Sequence, residues 1–335
     1  MAINLGINGM GRIGRMVIRS IIENNSKQIK IKHINNRSNS EISCSLLKYD
    51  SIHGKFDASL NFGKNHLTIN KNKISFSQHS NLEDIDWKKY NVDYVFECTG
   101  KFNSKEKLLT HIKNGAKRVI VSAPCKNADK TIVFGVNENI LTSKDQIISA
   151  ASCTTNCLAP VAYILNKNFG IEKGFMTTIH AFTSDQRILD NSHKDLRRAR
   201  SATQSIVPTS TGASKAIGEI IPELKGKLEG IAMRVPIPNV SLIELVFCTK
   251  KNMTKEQINK AFFASSKKQF KNILTITDEK LVSIDFNHNS ASAIIDSSLT
   301  SVVGKNMGKI SAWYDNEWGF SNRMCDIVEH LHKIS

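Results

Sequence analysis

Asn8-Gly9-Met10-Gly11-Arg12-Ile13-Gly14-Arg15 is the stretch from which the fold of this chain is read. It follows Ile3-Asn4-Leu5-Gly6-Ile7, a short apolar run of strand character. Behind it Ile13, Met16, Val17 and Ile21 recur at helical spacing. Gly9, Gly11 and Gly14 fit G-x-G-x-x-G in the strand–turn–helix setting that gives this pattern meaning. One glycine makes a tight turn, one lets the backbone approach a pyrophosphate, and one lets helix and strand pack closely. The phosphates would lie over the helix N-terminus, where unpaired N–H groups and the helix dipole favour anions.

Further strand candidates are Ile29–Asn35, Asp93–Cys98, Arg118–Ser122, Thr131–Val136 and Gln146–Ala151. A helix is expected over Lys105–Lys113, with Asn103 or Ser104 as N-cap and Gly115 past its end. Strands alternating with helices point to an α/β fold with a doubly wound parallel sheet. Ligands then bind at the carboxyl ends of the strands, where Thr99-Gly100 and Ser122-Ala123-Pro124 fall. An NAD-selective site would carry Asp or Glu at the end of the second strand, about 20 residues beyond the last glycine. Asn35-Asn36-Arg37-Ser38 stands there instead. Asn36 can hydrogen-bond a ribose hydroxyl without repelling a 2′-phosphate, and Arg37 could attract one. NAD, NADP or both are therefore expected as cofactor.

A chain of 335 residues is long enough for two domains. Its 40% apolar and 23% charged residues are those expected of a soluble globular protein. The opening residues lack a basic segment followed by a long apolar one, so no secretory signal is visible, and no apolar run reaches membrane-spanning length. Seven scattered cysteines do not make a disulfide framework. These features lead us to expect a reduced, cytoplasmic enzyme with no membrane partner. The net charge of +16 raises the question of nucleic acid. The lysines are spread along the whole chain without a dense tract, so nucleic acid is not expected as the primary partner.

The chemistry is concentrated in the second half. Ser152-Cys153-Thr154-Thr155-Asn156-Cys157 joins the strand candidate Gln146–Ala151 to the apolar helical run Leu158–Leu165. A thiol at that junction faces unpaired N–H groups and the positive end of a dipole, so Cys153 is expected to be a thiolate nucleophile. Phe175–Thr183 reads as a strand carrying one histidine, and His180 is the expected base of a Cys–His pair. The polar, basic stretch 183–205 leads to Pro208-Thr209-Ser210-Thr211-Gly212, whose hydroxyls and N–H groups could cradle an anion. Arg234 lies in an apolar stretch and needs a partner, for which a substrate phosphate is suitable. Cys153 and Cys157 are four residues apart with no second ligand pair nearby, so no metal is expected.

Ser152–Pro160 resembles the signature of phosphorylating glyceraldehyde-3-phosphate dehydrogenases. So do Asn8–Arg15, Leu47-Lys48-Tyr49-Asp50-Ser51, Glu97-Cys98-Thr99-Gly100, Arg234-Val235-Pro236 and Trp313-Tyr314-Asp315-Asn316-Glu317. The resemblance covers nearly the whole chain in order. It implies a Rossmann domain over 1–152 and 317–335, and an α+β catalytic domain with a mixed sheet over 153–316. It implies that Cys153 attacks the aldehyde, that hydride passes to the nicotinamide, and that inorganic phosphate cleaves the resulting thioester, with His180 as base. Cofactor contacts are then expected from Asn8, Gly9, Gly11, Arg12, Ile13, Gly14, Asn36, Arg37, Thr99, Gly100 and Ser122, with Asn316 holding the nicotinamide carboxamide. Thr183 and Arg234 would bind the substrate phosphate. Ser152, Thr154, Thr211 and Gly212 would bind the attacking phosphate, with Arg198 close to both. A homotetramer is implied, with the 183–205 stretch beside a neighbouring cofactor site.

The chain departs from the family pattern at several points. Met10 stands for the usual phenylalanine, Ala150 for an asparagine and Phe320 for a tyrosine. Asn36 replaces an aspartate and Asn191-Ser192 replaces a Leu-Pro pair, which removes two obstacles to a 2′-phosphate. The alternative on the same fold is an erythrose-4-phosphate dehydrogenase, of which Ser283–His288 has some features.

Overall fold

Ile3–Asn8 forms strand β1, and all but one of its residues are buried, so it runs through the middle of a sheet covered on both faces. The computed structural model describes residues 2–334. In the first half β1 is followed by α1 (Arg12–Glu23), β2 (Ile29–Asn35), α2 (Ser40–Lys48) and a small hairpin, β3 (Tyr49–Asp50) and β4 (Gly54–Lys55). Next come β5 (Leu60–Gly63), β6 (His66–Ile69), β7 (Asn72–Ser77), β8 (Tyr94–Glu97), α3 (Lys105–Lys113), β9 (Arg118–Val121), β10 (Lys130–Thr131) and β11 (Ile147–Ser149). They build a nine-stranded sheet in the order β10-β11-β9-β8-β1-β2-β7-β6-β5. From β10 to β7 every pairing is parallel, and β6 and β5 extend the edge antiparallel. Strand order reverses at β1, which lies between β2 and β8, and the crevice at such a reversal is where this architecture binds ligands.

The helix over Lys105–Lys113 forms as expected, with Ser104 in the N-cap position and Gly115 beyond its end at φ +105°. The strand expected over Thr131–Val136 shrinks to Lys130–Thr131. Ile132 and Val133 remain buried, but Gly135 turns at φ +92° and packs against Ile273 of the second body. Gln269 Nε2 also donates to the Gly135 carbonyl, at 3.1 Å. The chain divides accordingly. One body comprises the residues up to Phe134, Glu138–Ser152 and the chain from Ser321 on; the other comprises Gly135–Asn137 and Cys153–Phe320.

The second body opens with α4 (Cys153–Phe169), a largely buried helix, followed by β12 (Ile171–Ala181), β13 (Val207–Ser210) and α5 (Ala213–Ile220). It continues through β14 (Leu228–Val235), β15 (Ser241–Thr249), α6 (Lys255–Ser266), β16 (Leu274–Thr277), β17 (Ala293–Asp296), β18 (Ser301–Val303) and β19 (Met307–Tyr314). These strands form a mixed sheet in the order β13-β14-β12-β15-β19-β17-β16, with β18 beside β19. Buried residues alternate strictly along β15, the mark of a sheet with one face on a core. Pro208 sits on the edge strand β13, where a missing N–H costs no ladder bond. The final helix, α7 (Trp318–Lys333), starts in this body and gives its residues from Ser321 on to the first. Among the described residues no helix is long and apolar enough to cross a membrane.

Candidate active site

Cys153 is the first residue of α4. Two residues earlier the buried Ala151 adopts φ +58°, a conformation that L side chains rarely take. Its N–H donates to Ser149 Oγ at 3.1 Å, and that hydroxyl donates to the Ala123 carbonyl at 2.8 Å. The thiol lies 3.4 Å from His180 Nε2. Its acidity differs from the sequence expectation of a ready thiolate. Burial pushes the Cys153 thiol up, and this outweighs the downward pull of the Arg234 charge, the Thr154 hydroxyl and the peptide N–H groups at the helix start. The resting pair is a thiol beside a neutral imidazole.

Strands β12 and β14 run parallel in a register that places His180 opposite Arg234. His180 Nδ1 is 2.7 Å from the Ala181 carbonyl oxygen and 2.7 Å from Arg234 Nη1, which also donates to that carbonyl at 2.9 Å. Burial, followed by the Arg234 charge, lowers the imidazole to about 3, against a smaller upward pull from the carbonyl. Arginine only donates, so a contact in which Nδ1 accepts from Arg234 leaves the ring proton on Nε2, facing sulfur. When Nδ1 instead donates to Ala181, the Nε2 lone pair faces the thiol and can take its proton. Arg234 thus acts on both the charge and the tautomer of the imidazole. Its own buried Nε has no partner among the described residues.

Three supporting residues went unread in the sequence. Tyr314 Oη is shared with Thr154 Oγ1 and Thr178 Oγ1, each at 2.9 Å, and its ring meets His180 edge-on. Ser241 Oγ accepts the Ala181 N–H at 3.1 Å and donates to Asn316 Oδ1 at 3.0 Å, which ties β12 to Asn316. Val240, just before it, is a β-branched residue at φ +66°, a strained backbone held inside the core. Only Tyr314 carried a sequence signal, its place in Trp313–Glu317.

The expected anion-binding residues have partners of their own. The Arg198 guanidinium donates to Thr209 Oγ1 from Nε at 2.8 Å and from Nη2 at 2.6 Å, pairs with Asp185, and lies 3.5 Å from Asp195. Thr183 gives both its N–H and its hydroxyl to Gln186 Oε1, at 2.8 and 3.2 Å. Thr211 Oγ1 accepts the Ala213 N–H at 3.2 Å, and Gly212 opens α5 without a side-chain cap. Ser152 is half-buried, whereas Thr154 is buried with its hydroxyl turned to Tyr314. Among the described residues no group of His, Cys, Asp and Glu could hold a metal ion.

In the first body the glycine loop is shaped for a dinucleotide. Gly9 turns at φ +95°, and a Cβ on Gly14 would lie 2.0 Å from the Gly9 carbonyl oxygen. Gly11 caps α1 without a side-chain bond, and a Cβ there would meet nothing nearer than 3.9 Å, so the helix end stays open to a phosphate. The Arg12 side chain turns away to a two-pronged pair with Asp50, and Arg15 lies 3.7 Å from the same carboxylate. Asn8 is likewise committed: its Nδ2 donates to Glu97 at 2.7 Å and its Oδ1 accepts from Asn35 at 2.8 Å. Glu97 also takes the Thr99 N–H at 2.8 Å and His111 Nε2 at 3.2 Å, while His111 Nδ1 accepts the Trp87 indole N–H at 2.9 Å. Glu97 and Asn35 carried no sequence signal beyond their places in Glu97–Gly100 and Asn35–Ser38.

Beside this network lies a cavity of about 290 Å³, lined in part by Gly9, Gly11, Asn36, Arg37 and Thr99. The strand ends, the open helix terminus and the cavity fit the pyrophosphate and adenosine of a dinucleotide. Ile13 is half-buried, Gly100 is open at φ +69°, and Ser122 follows β9 with its N–H on the Glu97 carbonyl at 3.0 Å.

Comparison with known proteins agrees with this geometry. Residues 3–105 match the family described as glyceraldehyde 3-phosphate dehydrogenase, NAD binding domain, and residues 152–316 match its C-terminal domain. The chain is 49% identical over 334 residues to a glyceraldehyde-3-phosphate dehydrogenase of Cereibacter sphaeroides, covering 100% of both chains. It is 48% identical over 332 residues to glyceraldehyde-3-phosphate dehydrogenase 2 of Bacillus subtilis strain 168, covering 99% of this chain and 97% of that one. The corresponding enzyme of Geobacillus stearothermophilus is 47% identical over 332 residues, covering 99% and 98%.

Proposed function

Because the chain belongs to the glyceraldehyde-3-phosphate dehydrogenase family, we propose that Cys153, His180 and Arg234 form the reacting centre of its phosphorylating dehydrogenase activity. That activity is the reversible conversion of D-glyceraldehyde 3-phosphate to 1,3-bisphosphoglycerate. The erythrose-4-phosphate alternative is not favoured by the family and relatives matched. The observation that carries the assignment of roles is the 3.4 Å approach of thiol and imidazole, with Arg234 on the far ring nitrogen.

His180 Nε2 takes the thiol proton as Cys153 Sγ attacks the aldehyde carbon, and gives it to the alkoxide of the hemithioacetal. His180 takes that hydroxyl proton again as the carbonyl re-forms and the thioester appears. NAD, when bound, supplies the hydride acceptor for this oxidation. A phosphate oxygen then attacks the thioester carbon, the C–S bond breaks, and Cys153 leaves as thiolate to be reprotonated. We assign the substrate phosphate to Thr183 and Arg234, and the attacking phosphate to Ser152, Thr154, Thr211 and Gly212, with Arg198 near both. Thr154 would act through its N–H, since its hydroxyl is taken by Tyr314. A substrate phosphate that draws Arg234 off His180 Nδ1 would leave that nitrogen to donate to Ala181, the base form of the ring.

The glycine loop, Asn36, Arg37, Thr99, Gly100, Ser122 and Asn316 are assigned to the cofactor; Asn8 and Arg12 would contribute backbone only, their side chains being committed. We extend cofactor use to NADP because no carboxylate lines the cavity that carries Asn36 and Arg37. A homotetramer working in the cytoplasm completes the reading. Leu189 and Leu196 stand 74% and 84% exposed in the 183–205 stretch, apolar surface that assembly would cover. Initial rates decide the central point. Turnover of glyceraldehyde 3-phosphate should require inorganic phosphate, and phosphate-independent turnover of erythrose 4-phosphate would overturn it.

A further inference from the structure

The cavity beside the glycine loop carries Arg37, Lys101 and His79 and no Asp or Glu. At its floor the side-chain amide of Asn36 has a defined direction. The Met10 N–H donates to Asn36 Oδ1 at 3.3 Å, so the amide nitrogen faces the other way and donates to Ser43 Oγ at 3.0 Å. Ser43, on α2, is buried and lines the cavity. Its hydroxyl accepts from Asn36, and its own proton meets no acceptor among the described residues. Arg37 is exposed and makes no hydrogen bond or ion pair among the described residues. This corner therefore presents donors: the second hydrogen of Asn36 Nδ2, the Ser43 O–H and the Arg37 guanidinium. The acceptor that a ribose 2′-hydroxyl would want, Asn36 Oδ1, already has one of its two lone pairs on the loop. A 2′-phosphate, which only accepts, matches such a corner.

We infer that Ser43 is a specificity-determining residue for the cofactor, its hydroxyl donating to the 2′-phosphate of NADP while Asn36 holds it in place. The inference rests on the reading that this cavity takes the adenosine end of a dinucleotide. It couples two positions. An aspartate at 36 would accept the Ser43 proton and remove that donor from the phosphate, in addition to repelling it.

The test uses the full-length protein and calorimetric binding of adenosine 2′,5′-bisphosphate and 5′-AMP, which differ only in the 2′-phosphate. Ser43→Ala should weaken 2′,5′-bisphosphate binding about tenfold, the scale of one hydrogen bond to a charged group. It should change 5′-AMP binding less than about twofold. In an Asn36→Asp background the same Ser43→Ala change should cost almost nothing. Equal loss for both ligands, or no loss for either, overturns the role of Ser43 while leaving NADP use intact. Wild-type protein that binds 5′-AMP but not the 2′,5′-bisphosphate overturns NADP use, and this inference with it.

Discussion

A cysteine that is both half-buried and the first residue of a helix receives opposing instructions. The helix start and Arg234 favour thiolate, and burial favours thiol and wins. In the mechanism proposed above, the nucleophile is made by proton transfer to His180 during attack. Cys153→Ser is expected to lower turnover at least a thousandfold while NAD binding, followed by fluorescence quenching, changes less than about twofold. His180→Asn should slow alkylation of Cys153 by iodoacetamide at neutral pH, since the proton acceptor is lost. Arg234→Leu should move His180 upward, read as a shift in its NMR titration, because the Arg234 charge adds to burial in holding it low.

The buried neutral histidines also set a pH dependence of stability. His180 and His33 are both lowered to about 3, His33 by burial and then by His79 and Lys89. In the unfolded chain each binds a proton near pH 6.5, so between 6.5 and 3 the unfolded state holds more protons and stability falls as pH drops. Each contributes a slope of up to about 1.4 kcal/mol per pH unit in that window. Urea unfolding at pH 7 and pH 5 should show the loss, and His33→Gln should reduce it.

At the scale of elements, what was legible in the sequence is what neighbouring residues decide. The glycine loop, the helix over Lys105–Lys113 and the start of α4 at Cys153 depend on spacing within a few residues. The partners of the catalytic groups do not. Tyr314 reaches Thr178 across 136 positions, and Ser241 reaches Asn316 across 75, because β12, β15 and β19 are neighbours in the sheet. No local pattern in Ser241 announces that adjacency. The overestimated strand Thr131–Val136 failed for a related reason, since packing of Gly135 against Ile273 overrides the local propensity for strand. Gly14→Ala tests the loop: with a Cβ 2.0 Å from the Gly9 carbonyl oxygen, α1 must shift off the turn. Affinity for NAD should fall at least tenfold, measured by calorimetry.

For the molecule as a whole, the exposed leucines of the 183–205 stretch bear on assembly. Light scattering should give about four times the 37.3 kDa chain mass for the wild type, and Leu196→Asp should shift the population toward smaller species. A mass unchanged by this substitution would remove Leu196 from the interface.

The return of α7 to the first body orders events during synthesis. Ser20 on α1 donates to Asn322 Oδ1, 302 residues later, and Ser26 donates to Glu329, 303 residues later. At about 5–20 residues per second a ribosome needs roughly 15–60 s to bridge that gap. Through that interval the face of α1 that α7 will cover stays wet, while the contiguous stretch Cys153–Phe320 emerges complete before it. The earliest-made half of the protein is therefore the last to close.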